Sequence, residues 1–234
     1  MKTWATRFLP MMAVVGAATI VPCIAQAAGL RSPQIAFNSA SLQTYLGTTL
    51  GQGINTTTDQ LDLQVFTTSV SGNAAFTLMA EFTGNAAANE VGVYNAGDPS
   101  ATPTLFPLLP PSAGPGWYVT VHFGSGNLVA TLFDNTATFQ SSTTYTGVSQ
   151  AAFAFYIKGP SGTFYSQDSR NGNSANVLTY AGTGSSLGTL WECFEESAYN
   201  SGTSDFDDAI LNLQSVVTTP TKSNTWGEVK AGYR

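Results

Sequence analysis

Through the body of the chain, apolar and polar residues alternate in short runs that break at Gly, Pro, Asn and Ser. Leu61, Leu63 and Val65 alternate with Asp62 and Gln64, Phe76, Leu78 and Ala80 with Thr77 and Met79, and Val119, Val121 and Phe123 with Thr120 and His122. A period of two places one set of side chains on a core face and the other toward solvent, which is the signature of a half-buried strand. Runs of the same kind lie at 90–94, 116–123, 128–133, 151–157, 163–165, 177–180, 189–195 and 209–217. About ten short strands with turn residues between them predict an all-β fold, an antiparallel β-sandwich of jelly-roll type with little helix. The one helical spacing in the body is at 39–50, where Leu42, Tyr45, Leu46 and Leu50 share a face. The stretch 99–115 carries Pro99, Pro103, Pro107, Pro110, Pro111 and Pro115, so it is expected as a loop or edge excursion and not as a central strand.

The ends read differently. Met1 to Phe8 is basic, residues 9–24 are small and apolar, and Ala25-Gln26-Ala27 follows, the order of a secretory signal cleaved after Ala27. The run contains Pro10 and Pro22 and is shorter than the roughly 20 residues of a membrane-spanning helix. Pro22 before Cys23 also fits lipidation poorly. The expected organisation is a signal peptide at 1–27, one sandwich domain at 28–217, and a linker and tail at 218–234 that opens polar and Pro-containing and ends with Trp226, Val229 and Tyr233. The expected location is secreted or at the cell surface, with no membrane insertion once the signal is removed.

Charge narrows the range of partners. Charged residues make up 9% of the chain, and loss of 1–27 leaves six basic against fourteen acidic residues. A nucleic-acid partner is excluded on this balance, because phosphate binding needs clustered basic charge. The same cleavage leaves Cys193 as the sole thiol, so no intramolecular disulfide forms. Between Trp191 and Phe194 it reads as a small buried apolar residue, with no base beside it to make it a nucleophile.

Six of the fourteen acids fall between Glu192 and Asp208, and no Lys or Arg lies from Asn171 to Thr221. Carboxylates this crowded repel unless protonated or bridged by a cation. With a single histidine in the chain, the cation expected is hard: a calcium ion, which takes six to eight oxygens from carboxylates, carbonyls and water. The candidate ligands are Glu195, Glu196, Asp205, Asp207 and Asp208, with Glu192 on the strand as an outlying member. The spacing lacks the glycine and closing glutamate of an EF-hand. The plain alternative is a solvated acidic turn.

From Phe153 onward the order of phrases is specific: Phe153 to Ile157, Gly159 to Ser166, Val177-Leu-Thr-Tyr180, Phe194-Glu-Glu196, then Asp205-Phe-Asp-Asp208 before an apolar strand. This order resembles the bacterial secreted family called domain of unknown function 4114, whose members carry a "Phe-Glu-Asp" strand end and a closing "Asp-x-Asp-Phe-Asn-Asp" loop. Upstream, Asn85 to Tyr94 is similar to that family's "Asn-x-x-Gly-Ile-Tyr" strand. The resemblance covers roughly 76–217 and implies a calcium-binding sandwich in an exported, surface or adhesive bacterial protein. By position, Glu195 and Glu196 stand for the strand-end acids and Thr203 to Asp208 for the loop. Thr203 replaces the first Asp and Asp207 the usual Asn, so the carboxylate count is kept while its position shifts.

The function expected is therefore non-enzymatic: a structural or adhesive role, with a surface protein or a polysaccharide as partner. Glu81, Glu90, Glu195 and Asp134 are the nominal carboxylates for glycoside chemistry, and no spacing selects a pair. His122 has no recognisable Ser, Cys or Asp partner and reads as structural. The competing reading is a calcium-stabilised carbohydrate-binding module in which Trp117, Tyr118 and Tyr145 stack on sugar rings, against the common fate of strand aromatics as core.

Overall fold

The computed structural model describes residues 29–38, 40–68 and 71–218. The leader and the tail beyond 218 lie outside them. Among the described residues thirteen strands form: β1 (Phe66–Thr68), β2 (Asn73–Ala80), β3 (Glu90–Asn95), β4 (Leu105–Leu109), β5 (Tyr118–Gly124), β6 (Asn127–Phe133), β7 (Phe139–Thr146), β8 (Phe153–Gly159), β9 (Gly162–Tyr165), β10 (Val177–Ala181), β11 (Leu190–Phe194), β12 (Ala209–Gln214) and β13 (Val216–Thr218). Every pairing is antiparallel. One sheet runs β13-β1-β8-β3-β4 with β9 also on β8; the other runs β10-β11-β12-β2-β5-β6-β7. They pack face to face as the expected sandwich.

The alternation seen in the sequence sets the packing. The inward positions are filled on β2 by Ala74, Phe76 and Leu78, on β5 by Val119, Val121 and Phe123, and on β6 by Leu128, Ala130 and Leu132, all in one core with Phe66, Phe153, Phe155 and Ile157 of the other sheet. Aromatic rings knit the two layers: Phe76 meets Phe155 edge-on at 5.2 Å and Phe123 stacks on Phe153 at 5.0 Å. Such pairs add about 0.5–1.5 kcal/mol each beyond the area they bury.

Strands β10, β11 and β12, expected as half-buried, are instead buried on both faces, Thr179, Glu192 and Asn212 included. Their outer face is roofed by the segment preceding β1. There Ala40–Gln43 is α-helical and Thr44–Thr49 continues as π-helix, seating Leu42 and Leu46 against Leu178, Tyr180, Trp191, Cys193 and Ile210. The helix expected over 39–50 thus forms at 40–49, with the wider winding in its second half. The Tyr45 hydroxyl donates to Met79 O at 3.0 Å and ties this roof to β2.

Two strands carry no strand signature in the sequence. β4 lies inside the Pro-rich stretch, and as the outermost strand of its sheet it accommodates Pro107, which has no N–H to give. β7 is almost wholly polar and exposed, so it lacks the alternation that marks a buried face.

Candidate metal centre

The acidic corner forms where the β10–β11–β12 ladder ends. Val177, Phe194 and Ala209 are the last paired residues, and the ladder is extended by Glu195 N–H donating to Asn176 O at 2.9 Å and Asp208 N–H to Phe194 O at 3.2 Å. This sets Glu195 and Asp208 side by side on adjacent chains. The connecting loop turns at Asn200, whose carbonyl accepts Ser204 N–H at 2.8 Å, and is held to the roof by Asn38 N–H on Ser204 O and by the Tyr199 hydroxyl on Ala36 O. Phe206 is fully buried against Phe37 and Tyr199. It takes a left-handed backbone, φ 56°, which costs about 1–3 kcal/mol for such a residue. That turn lets the ring enter the apolar layer while Asp205 and Asp207 flank it.

Three of the five expected ligands come together. Carboxylate oxygens of Glu195, Asp205 and Asp208 lie within 4.8 Å of one another. Two oxygens on opposite sides of one calcium are about 4.6–5.2 Å apart, so one ion can touch all three. The group is braced by neighbouring donors: Glu195 accepts the backbone N–H of Asp205 at 3.1 Å and the side-chain hydroxyl of Ser197 at 2.5 Å, and Asp208 accepts the backbone N–H of Glu196 at 2.8 Å. Glu195 and Asp208 are buried and Asp205 half-buried.

The electrostatics carry the strain of this crowding. Burial, then the charges of Glu195, Glu196 and Asp205, push the Asp208 carboxyl up to about 7 against the opposing Glu196 N–H. Asp205 is raised by burial and by the adjacent Asp207 carboxyl. Asp207 is 2% exposed and its Oδ2 has no hydrogen-bond partner, a buried charge-bearing atom that a cation would satisfy. Its carboxyl acts on Asp205, and Asp207 is not one of the three that share a single point.

Glu196 turns away. Its Oε1 accepts the Thr83 hydroxyl at 2.7 Å and Asn85 Nδ2 at 2.6 Å, and its Oε2 accepts Asn89 Nδ2 at 2.5 Å. Gly159 makes room for this cage: a Cβ there would lie 2.5 Å from Asn89 Oδ1. Glu196 thus pins the β2–β3 connection to the corner, and its charge, after burial, lifts Glu81 to about 7. Sequence reasoning misses Thr83, Asn85 and Asn89 as members of this site because they lie more than a hundred residues upstream. The doubled Asn of 85–89 is the available signal.

Glu192 is separate. It points from β11 into the inter-sheet core beside Thr179, fully buried. Cys193 is buried on the opposite face, and burial pushes its thiol well up. Asp134 caps its own turn through Thr136 and Thr138, and Glu90 accepts the Tyr156 hydroxyl on the other sheet. His122 is exposed, with Nδ1 2.8 Å from Asn73 Oδ1. The three aromatics considered for stacking are all half-buried: Trp117 and Tyr145 pack against the main core, with Tyr145 donating to Pro107 O, and Tyr118 lies on the outer face.

No protein-family model and no curated protein matches the chain. Among solved structures, sheep galectin-11 in complex with glycerol aligns with 67% of this chain and 93% of its own at 8% identity and a TM-score of 0.17, a likeness too slight to carry an argument. No helix of the described residues is long and apolar enough to cross a membrane.

Proposed function

We propose that the protein is exported and binds calcium at the Glu195–Asp205–Asp208 corner, where the ion closes a β-sandwich with a structural or adhesive role at the bacterial surface or in the extracellular matrix. The observation that carries this reading is the meeting of three carboxylates within 4.8 Å beside the unpartnered, buried Oδ2 of Asp207. An all-oxygen donor set of this charge suits a hard cation. The resemblance of residues 153–211 to an exported calcium-binding family points the same way.

In this reading the ion would be held by Glu195, Asp205 and Asp208, with Asp207 helping to balance its charge. It would join the end of β11 to the loop before β12 and relieve the repulsion that the folded corner otherwise contains. The test is metal analysis of the purified protein together with melting in calcium and in chelator. An ion at a hundredfold excess over its dissociation constant stabilises by about 2.7 kcal/mol, or about 5–10 °C for a chain of this size. Identical melting in both, with no bound metal, refutes the assignment.

A second reading, a calcium-stabilised carbohydrate-binding module, is favoured by one feature of the outer face. Tyr118 stacks on Phe133 at 5.0 Å and 14°, and Phe139, 59% exposed, stands edge-on to Phe133 at 6.3 Å. This ledge borders an open, neutral groove of about 380 Å³ lined by Asn73, Thr120, His122, Thr131 and Gln214. Retention on a polysaccharide column that is lost in Tyr118→Ala would select this reading, and passage without retention would reject it.

A further inference from the structure

A sheet in a free-standing protein has edges, and each edge is a row of backbone donors and acceptors that can pair with another strand. Among the described residues all but one are short, broken or covered, each by a different device. On the first sheet, β13 is only three residues long. At the other end β4 carries Pro107, whose carbonyl is also taken by the Tyr145 hydroxyl. The free side of β9 is satisfied by one side chain, since Asn171 accepts from Tyr165 N–H at 3.0 Å and donates to Tyr165 O at 2.7 Å. On the second sheet, β10 is closed by Leu61, which bridges Thr179 and donates to its carbonyl at 2.8 Å.

The remaining edge is β7. It pairs with β6 from Phe139 opposite Phe133 to Thr146 opposite Asn127, with a bulge at Gln140 and an unbroken register over residues 141–146. Among the described residues, no group bonds its backbone from the other side. It is eight residues long, roughly 27 Å of strand, and every residue but Tyr145 is exposed. It contains no proline, and no charged residue lies between Asp134 and Lys158. Lysine, proline and shortness are usual protections of an edge, and beyond the bulge at Gln140 this strand has none of them.

The geometry points to β7 as a pairing edge for a second copy of this chain, strand to strand and antiparallel about a two-fold axis. Charge selects the occupant. Across a two-fold each residue faces the same strand, so any charge on it would meet its like. A strand built of Gln140, Ser141, Ser142, Thr143, Thr144 and Tyr145 meets itself without repulsion and with hydroxyls that both donate and accept. The space is available too. Ser141, Thr143 and Tyr145 overhang a cleft of about 180 Å³ floored by Leu108, Val119 and Leu132, into which the incoming strand can set its inward side chains. Because β7 is the one long edge among the described residues without such protection, pairing it with itself leaves no comparable edge open. The product is a closed dimer with a continuous sheet through both copies, and not a fibre.

This inference does not depend on the calcium corner, which lies at the far side of the same sheet. Sedimentation equilibrium of the purified protein, from low to high micromolar and in either calcium or chelator, is expected to show a monomer–dimer equilibrium. Amide exchange in residues 139–146 should slow as the dimer fraction rises. Thr143→Lys should weaken the dimer at least tenfold at unchanged melting temperature, while Thr120→Lys, on the exposed face of β5 away from the edge, should leave it intact. A protein that stays monomeric throughout, a dimer unmoved by Thr143→Lys, equal loss in both variants, or open-ended growth would each overturn the proposal. If Thr143→Lys does not fold, unchanged exchange in 139–146 across the wild-type concentration series is sufficient to reject it.

Discussion

Replacing Glu192 with glutamine should remove a pH-dependent penalty that the wild-type fold carries. Glu192 is fully buried in the inter-sheet core, with Oε1 2.6 Å from Thr179 Oγ1 and Oε2 without a partner. Thr179 Oγ1 also lies 3.1 Å from Leu63 O. A hydroxyl has one proton and cannot donate to both acceptors. The arrangement closes if Glu192 itself carries a proton on Oε1 and donates to Thr179, which then donates to Leu63. Burial favours the same state, raising the Glu192 carboxyl well above its ordinary value against the weaker opposing pulls of the Thr179 hydroxyl and the Arg31 charge. The sign follows from linkage. A carboxyl whose folded pKa is raised contributes stability that is full below its unfolded pKa, about 4.3, and lost as pH climbs toward the folded value. Over that window the wild type should lose about 1.4 kcal/mol per pH unit from this group alone.

Glu192→Gln keeps the shape, places an amide N–H where the carboxyl proton was, and titrates nowhere. Its amide oxygen takes the position of Oε2, which is unpartnered in both proteins, so the comparison isolates the proton. Urea denaturation of both proteins from about pH 5 upward should show near-equal stability at the acid end and a gap in favour of the variant that widens by up to about 1.4 kcal/mol per unit while pH stays below the folded value. A gap that does not change with pH would mean that Glu192 ionises as readily in the fold as in the unfolded chain, and the proton assignment would be wrong. A gap that closes with rising pH would contradict the sign.

The metal-free corner should show the same sign. Asp208 and Glu81 are both raised to about 7, so in chelator the protein should become more stable as pH falls from about 8 toward 5, and Asp208→Asn should make that dependence shallower by its own share, leaving those of Glu81 and Glu192, as read by melting temperature. Asp208→Asn or Asp205→Asn should also abolish the calcium-induced rise in melting temperature, whereas Asp59→Ala, at an exposed turn, should keep it. Cys193 should resist a thiol reagent in the native protein and react on unfolding, because it is fully buried with its thiol pushed well up; prompt native labelling would contradict the packing. Phe206→Ala should cost about 3–5 kcal/mol in denaturant titration, since the ring fills the layer beneath Phe37, and a loss below about 1 kcal/mol would show that the loop is not anchored there.

Local pattern alone settled those parts of this protein in which a residue's neighbours in sequence are also its determinants in space. Alternation at 76–80, 119–123 and 128–132 marked β2, β5 and β6, because a strand buried on one face must repeat every two residues. The sandwich follows, since sheets with one apolar face bury it against each other. The gathering of acids between 192 and 208 was equally plain, because charge density is a property of the sequence. Its partition was not. Which carboxylates converge depends on the ladder's end, on the left-handed turn at Phe206 and on a cage of Thr83, Asn85 and Asn89 that the fold carries in from another connection. Glu196 and Glu195 are adjacent in the chain and point to different partners, because the ladder ends at Glu195 and the chain bends at Glu196. The double burial of β10 to β12 was likewise decided by the roof of residues 35–54, and the edge positions of β4 and β7 by strand order. A proline-bearing strand and a mostly polar one give no periodic signal of their own; they are strands because β3 and β6 offer them backbone partners, and backbone hydrogen bonds leave no trace in either segment's composition.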